Sequence, residues 1–104
     1  MIRRGRRGDI FMRWIPFTKE NVRKVPDVYG VYELANANKE VIYIGCGKLR
    51  SRLLAHFKDI VGVAYFRYEK TGSQERAKQR ERMLLRKYLS THGGKLPKFN
   101  ERRR

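Results

Sequence analysis

Cysteine occurs once in this 104-residue chain, at Cys46, so an internal disulfide framework is excluded and a reducing compartment is expected. The cytoplasm is the expected location, with nucleoid association if the source is prokaryotic. No apolar run approaches membrane length: the longest, residues 60–66, falls far below the roughly 20 residues a spanning helix needs. The run Arg3-Arg4-Gly5-Arg6-Arg7 resembles a transit peptide or twin-arginine signal in composition, but no apolar stretch or small-residue cleavage site follows, so a basic arm is the expectation. Acid is the scarcest resource. Ten Asp and Glu stand against 26 Lys and Arg, for a formal net charge of +16 and a pI near 10.7. That imbalance is foreign to enzymes of small metabolites and points to a polyanion, with affinity that falls steeply as salt rises.

The length suits one domain. Residues 1–13 and 101–104 are charge runs without hydrophobic periodicity and read as flexible basic tails around a folded body at 14–100. Thr18 is placed to cap a short helix that Pro26 stops. Residues 28–34 and 40–45 read as the strands of a hairpin around the turn at 36–39. Residues 48–58 carry Leu49, Leu53 and Phe57 at helical spacing, 61–69 read as a third strand, and Ser73 caps a long helix to about Leu89. The expected fold is α+β, a small three-stranded antiparallel sheet, the N-terminal hairpin plus one strand, flanked by helices. A four-residue turn sets Ala35 against Glu40 and Tyr32 directly opposite Tyr43, with both rings on one face.

Three charged or titratable residues do not suit a plain core. On the long helix Ala77, Leu84, Leu85 and Tyr88 form one stripe, and the position completing it is Glu81. An inward carboxylate is expensive unless it is paired, hydrogen-bonded or bound to a metal, and a salt bridge to one of the arginines is the ordinary alternative. On the preceding helix Arg52 and His56 stand four apart beside the apolar stripe. A guanidinium there reaches a phosphate oxygen through a fixed fork, and an imidazole relays protons near neutral pH.

Gly30-Val31-Tyr32 and Tyr43-Ile44-Gly45, followed by Arg52, His56, Glu81 and the Asn100 of Leu96-Pro97-Lys98-Phe99-Asn100, resemble the ordered signature of the GIY-YIG endonucleases. The resemblance implies a GIY-YIG-like fold with Gly30 and Gly45 as motif glycines, and Tyr32, Tyr43, Arg52, His56 and Glu81 as catalytic residues. It further implies a divalent cation on Glu81, Mg²⁺ with Mn²⁺ as substitute, and Asn100 as a supporting or phosphate-contacting residue. Cys46 departs from the lysine that some members carry after the second block, and Lys48 is the candidate replacement as a substrate-binding residue.

The implied activity is metal-dependent hydrolysis of DNA phosphodiesters, with selectivity for DNA structure expected of a single small domain. One tyrosine would deprotonate the attacking water. Both share a face, so the residues leave the choice open, with Tyr43 preferred. Two alternatives keep the same scaffold: a basic module that binds nucleic acid without chemistry, and a nuclease directed at RNA, which is the less expected polymer. No membrane partner is expected.

Overall fold

The computed structural model describes residues 9, 10 and 12–102. Residues 1–8, 11, 103 and 104, which hold most of the expected basic tails, lie outside the described residues. In chain order the elements are β1 (Ile15–Pro16), α1 (Lys19–Arg23), β2 (Tyr29–Ala35), β3 (Val41–Lys48), α2 (Leu49–Asp59), β4 (Tyr65–Lys70), α3 (Gln74–Thr91) and α4 (Lys98–Arg102). The packed body begins before Trp14, because Ile10 is buried against Val31, Ile44 and Leu84, and Lys87 Nζ lies 3.0 Å from Asp9 Oδ1. Glu101, expected in the C-terminal tail, belongs to α4.

The sheet is antiparallel and has four strands, in the order β1-β4-β2-β3, rather than the three expected. The extra strand pairs Ile15 with Phe66 and Pro16 with Tyr65. Two residues carry no readable alternation, and a proline argues against a strand everywhere except at a sheet edge, where β1 lies. The fourth strand also starts later than expected: residues 61–64 form no strand, and Gly62 takes a positive φ of 82°.

The hairpin keeps both tyrosines on one face but not in direct opposition. Tyr32 faces Gly45 and Leu34 faces Tyr43, a register two residues away from the expected one. One residue of the difference comes from the turn, since Ala35 pairs with Val41 rather than Glu40, and the other from an irregularity between Leu34 and Ala35. The Asn36 side chain accepts from the backbone N–H groups of Asn38 and Glu40, and Lys39 adopts φ 64°, so the turn is longer than the sequence suggests. A slip of two residues preserves facing where a slip of one would reverse it.

The helix starts follow local chemistry. Thr18 Oγ1 accepts from Asn21 N, and Ser73 Oγ accepts from Arg76 N, each satisfying an orphan donor. The first turn of α2 is capped from a distance: Asp27 takes both Ser51 N at 2.9 Å and Ser51 Oγ at 2.8 Å.

Helices cover both faces of the sheet. Val22 of α1 and Leu49 and Leu53 of α2 bury against Tyr32, Leu34, Tyr43 and Phe66. Leu84 of α3 packs on the other face with Val31 and Ile44. Strand β3 is the second edge, and α4 closes part of it, with Asn100 Oδ1 accepting from Ile44 N at 2.8 Å and Asn100 Nδ2 donating to Ile44 O at 2.9 Å. Such an amide clasp occupies backbone groups that an edge strand otherwise offers to foreign strands.

Candidate functional site

Alternation along β2 and β3 sends Tyr32 and Tyr43 toward α2, and a helical step from Leu49 and Leu53 brings His56 beneath them. Tyr32 and His56 are both fully buried, and Tyr43 is 9% exposed. The Tyr32 hydroxyl lies 2.6 Å from His56 Nε2, and the edge of Tyr43 meets the His56 ring with centroids 5.0 Å apart. The other imidazole nitrogen, Nδ1, is 2.9 Å from Asp59 Oδ1. Burial, with the nearby Tyr43 phenol second, raises the Tyr32 pKa well above the usual phenol range, and Arg52 opposes the rise. The phenol therefore rests protonated.

Arg52 comes from the same helix one turn earlier, and its positive charge lies close enough to the Tyr32 phenol to oppose the rise of that group's pKa. Arg52 and His56 share a helix edge as expected, with His56 bonded to the Tyr32 hydroxyl and the Arg52 charge beside that phenol. Gly45 roofs that hydroxyl. A Cβ added at Gly45 would stand 2.5 Å from the Tyr32 oxygen and 2.8 Å from the Tyr43 ring, so only glycine leaves room for the two phenols. Gly47, at φ 138°, similarly leaves space for the Arg52 stem. Gly30 is tight for a different reason: a Cβ there would meet the Glu69 carbonyl and the Leu49 side chain.

Glu81 lies across the sheet from the phenols. It is half-buried on α3, with the Cys46 thiol of β3 near enough to influence its carboxylate. Burial raises its pKa, while the Cys46 contact, Arg82 and Lys78 oppose that rise. Burial and the same carboxylate push the Cys46 thiol up to about 11. Among the described residues Glu81 forms no salt bridge, so the expected guanidinium alternative is not the one realised.

The remaining expected residues have other surroundings. Lys48 is the exposed residue that precedes α2, and its ammonium lies over the Tyr29 ring at 5.3 Å. Asn100 spends its amide on Ile44, between Tyr43 and Gly45, which makes it a brace of the strand rather than a group aimed at substrate. Asp59 was not singled out in the sequence. Its spacing of three from His56 on a helix is the signal that could have found it.

Two open grooves, of about 530 and 740 Å³, lie away from the phenols. Arg67 lines both, and Glu33 lines the larger. The convergence of phenols, imidazole and guanidinium is the stronger reason to place chemistry at Gly45, because depth alone supplies no reactive group.

No curated protein matches the chain. The model of the family described as "Domain of unknown function (DUF7508)" matches residues 10–91, a span that contains Tyr32, Tyr43, Cys46, Arg52, His56, Asp59 and Glu81. The chain belongs to that family.

Proposed function

We propose that this protein is a divalent-metal-dependent endonuclease that hydrolyses DNA phosphodiester bonds in the manner of the GIY-YIG enzymes. The observation that carries the reading is the buried Tyr32–His56 hydrogen bond beneath Gly45, with the Arg52 charge beside it. A net charge of +16 supports a phosphate polymer as the substrate. DNA is the polymer preferred, and branched or nicked forms are the preferred shapes.

In this reading Arg52 turns outward to a nonbridging phosphate oxygen, which uncovers the Tyr32 hydroxyl. Water attacks phosphorus and gives its proton to the Tyr32 oxygen as Tyr32 passes its own proton to His56 Nε2, while the bond from phosphorus to the leaving sugar oxygen breaks and that oxygen takes a proton from solvent. The base is therefore Tyr32 rather than Tyr43, because Tyr32 is the phenol hydrogen-bonded to the imidazole. Tyr43 forms the wall against which His56 is held.

Glu81 fits a hydrated Mg²⁺ or Mn²⁺: it is a half-buried carboxylate with a thiol neighbour and no salt bridge among the described residues. Among those residues no group of three or more His, Cys, Asp or Glu could form an all-protein cage. Mg²⁺ commonly uses one or two carboxylates with waters and substrate phosphates. When bound, the ion would supply charge neutralisation at the scissile phosphate and leaving oxygen. Glu81 and the phenols lie on opposite faces of the sheet, so this reading requires them to address one phosphate around the β3 edge.

Binding without chemistry is the second reading, and the complete burial of Tyr32 and His56 favours it. Labelled single-stranded, duplex, nicked, flapped and four-way DNA, with RNA of equal length, incubated with Mg²⁺ or Mn²⁺, separates the two. Cleavage that Glu81→Gln abolishes while binding persists is the expected result. Intact substrates throughout, or a Glu81→Gln protein that cuts as well as its parent, would reject the nuclease.

A further inference from the structure

We infer that Asp59 is a positioning residue whose carboxylate holds His56 as the Nδ1–H tautomer and thereby leaves Nε2 to accept the Tyr32 proton. Asp59 closes α2 three residues after His56, and its Oδ1 stands 2.9 Å from Nδ1. An ionised carboxylate only accepts hydrogen bonds, so the facing nitrogen must carry the hydrogen. A neutral imidazole then has one lone pair left, on Nε2, and the 2.6 Å contact with Tyr32 runs from the phenol to the ring.

The opposite tautomer fails on two counts. Its bare Nδ1 would face a carboxylate oxygen, and its Nε2–H would point at the Tyr32 oxygen while the phenol hydrogen lost its acceptor. The three groups thus form a directed series from a buried hydroxyl to a carboxylate that is 39% exposed. As His56 takes the proton from Tyr32 it becomes imidazolium, and the adjacent Asp59 carboxylate stabilises that charge without itself being protonated.

The tautomer assignment stands on geometry alone, whereas its effect on turnover rests on the nuclease reading. Long-range ¹H–¹⁵N NMR of the intact protein reads the tautomer directly. His56 should appear as Nδ1–H in the parent. In Asp59→Asn the amide can donate to Nδ1, and His56 should change to Nε2–H or to a mixture, while Asp59→Glu restores the parent pattern. Far-ultraviolet circular dichroism establishes that each variant is folded. On a DNA substrate the parent cleaves, Asp59→Asn should lower kcat by on the order of tenfold to a hundredfold within the range of general-base effects, with KM unchanged and Asp59→Glu recovering much of the loss. An Nε2–H tautomer in the parent, a spectrum unmoved by Asp59→Asn, or an undiminished kcat would overturn the inference. A parent with the expected tautomer that cleaves no substrate would overturn only the nuclease reading.

Discussion

The two faces of the sheet handle burial differently. On the α2 face a phenol and an imidazole are hydrogen-bonded in a fully enclosed setting, with the Asp59 carboxylate at the more exposed end. On the α3 face formal charges are matched: Arg67 Nε to Glu33 Oε1 at 2.7 Å, Arg80 Nε to Glu69 Oε2 at 2.8 Å, and Lys87 to Asp9. Even with its partner, buried Glu33 has a raised pKa, because lost hydration outweighs the Arg67 charge. A neutral pair avoids the large desolvation cost of an ion and can move a proton along its length. Matched charges instead fix which strands and helices meet. Against that background Glu81 is the exception on its own face, an acid whose neighbour is a thiol.

The contrast breaks most severely at Tyr32. Tyr32→Phe should cut cleavage by roughly 10²–10⁴-fold, the usual share of acid–base help. It should cost only about 1–2 kcal/mol of stability for the imidazole nitrogen left without its donor, as separate cleavage and urea-unfolding measurements will read. The reverse pattern is expected across the sheet. Arg67→Ala strands the buried Glu33 carboxylate and removes the guanidinium stacked 4.0 Å from the Trp14 ring centroid. It should cost about 2–3 kcal/mol, below the range for fully enclosed pairs because Arg67 keeps some solvent, with kcat unchanged in the same cleavage assay.

Asn100→Ala removes both bonds to Ile44 and should cost about 1–2 kcal/mol, with faster hydrogen exchange at the Ile44 amide as the local readout. The smallest effect concerns Asp27, whose pKa is lowered by its two bonds to Ser51. A lowered folded-state value means the stabilisation is present above the unfolded carboxylate pKa of about 3.9 and disappears as pH falls through the folded one. The melting difference between parent and Asp27→Asn should therefore shrink on acidification below that point, and a constant difference across the titration would remove Asp27 from the α2 cap.

Local grammar made much of this legible. Thr18 and Ser73 announce their helices through hydroxyls placed before helical runs, and the stripe on α3 located Glu81 because a lone acid interrupts Ala77, Leu84 and Tyr88. The hairpin was readable but its register was not, since the Asn36 side chain satisfies two turn amides and lengthens the connection. Strand β1 escaped because its pairing is decided by Phe66 and Tyr65, some fifty residues away, and not by its own two residues. The site was legible as a set of types, while its directionality was not. That the imidazole would bond Tyr32, that Asn100 would grip a backbone, and that Cys46 would stand beside Glu81 are outcomes of register and helix placement that no spacing rule encodes.

Strand β3 forms the rim of the sheet, and Gly45 and Gly47 leave that rim low. In the nuclease reading, a stiff, wide polymer would lie alongside the part of the rim that α4 leaves uncovered. The rim would then favour a long, rigid strand over a small ligand before any individual side chain is consulted.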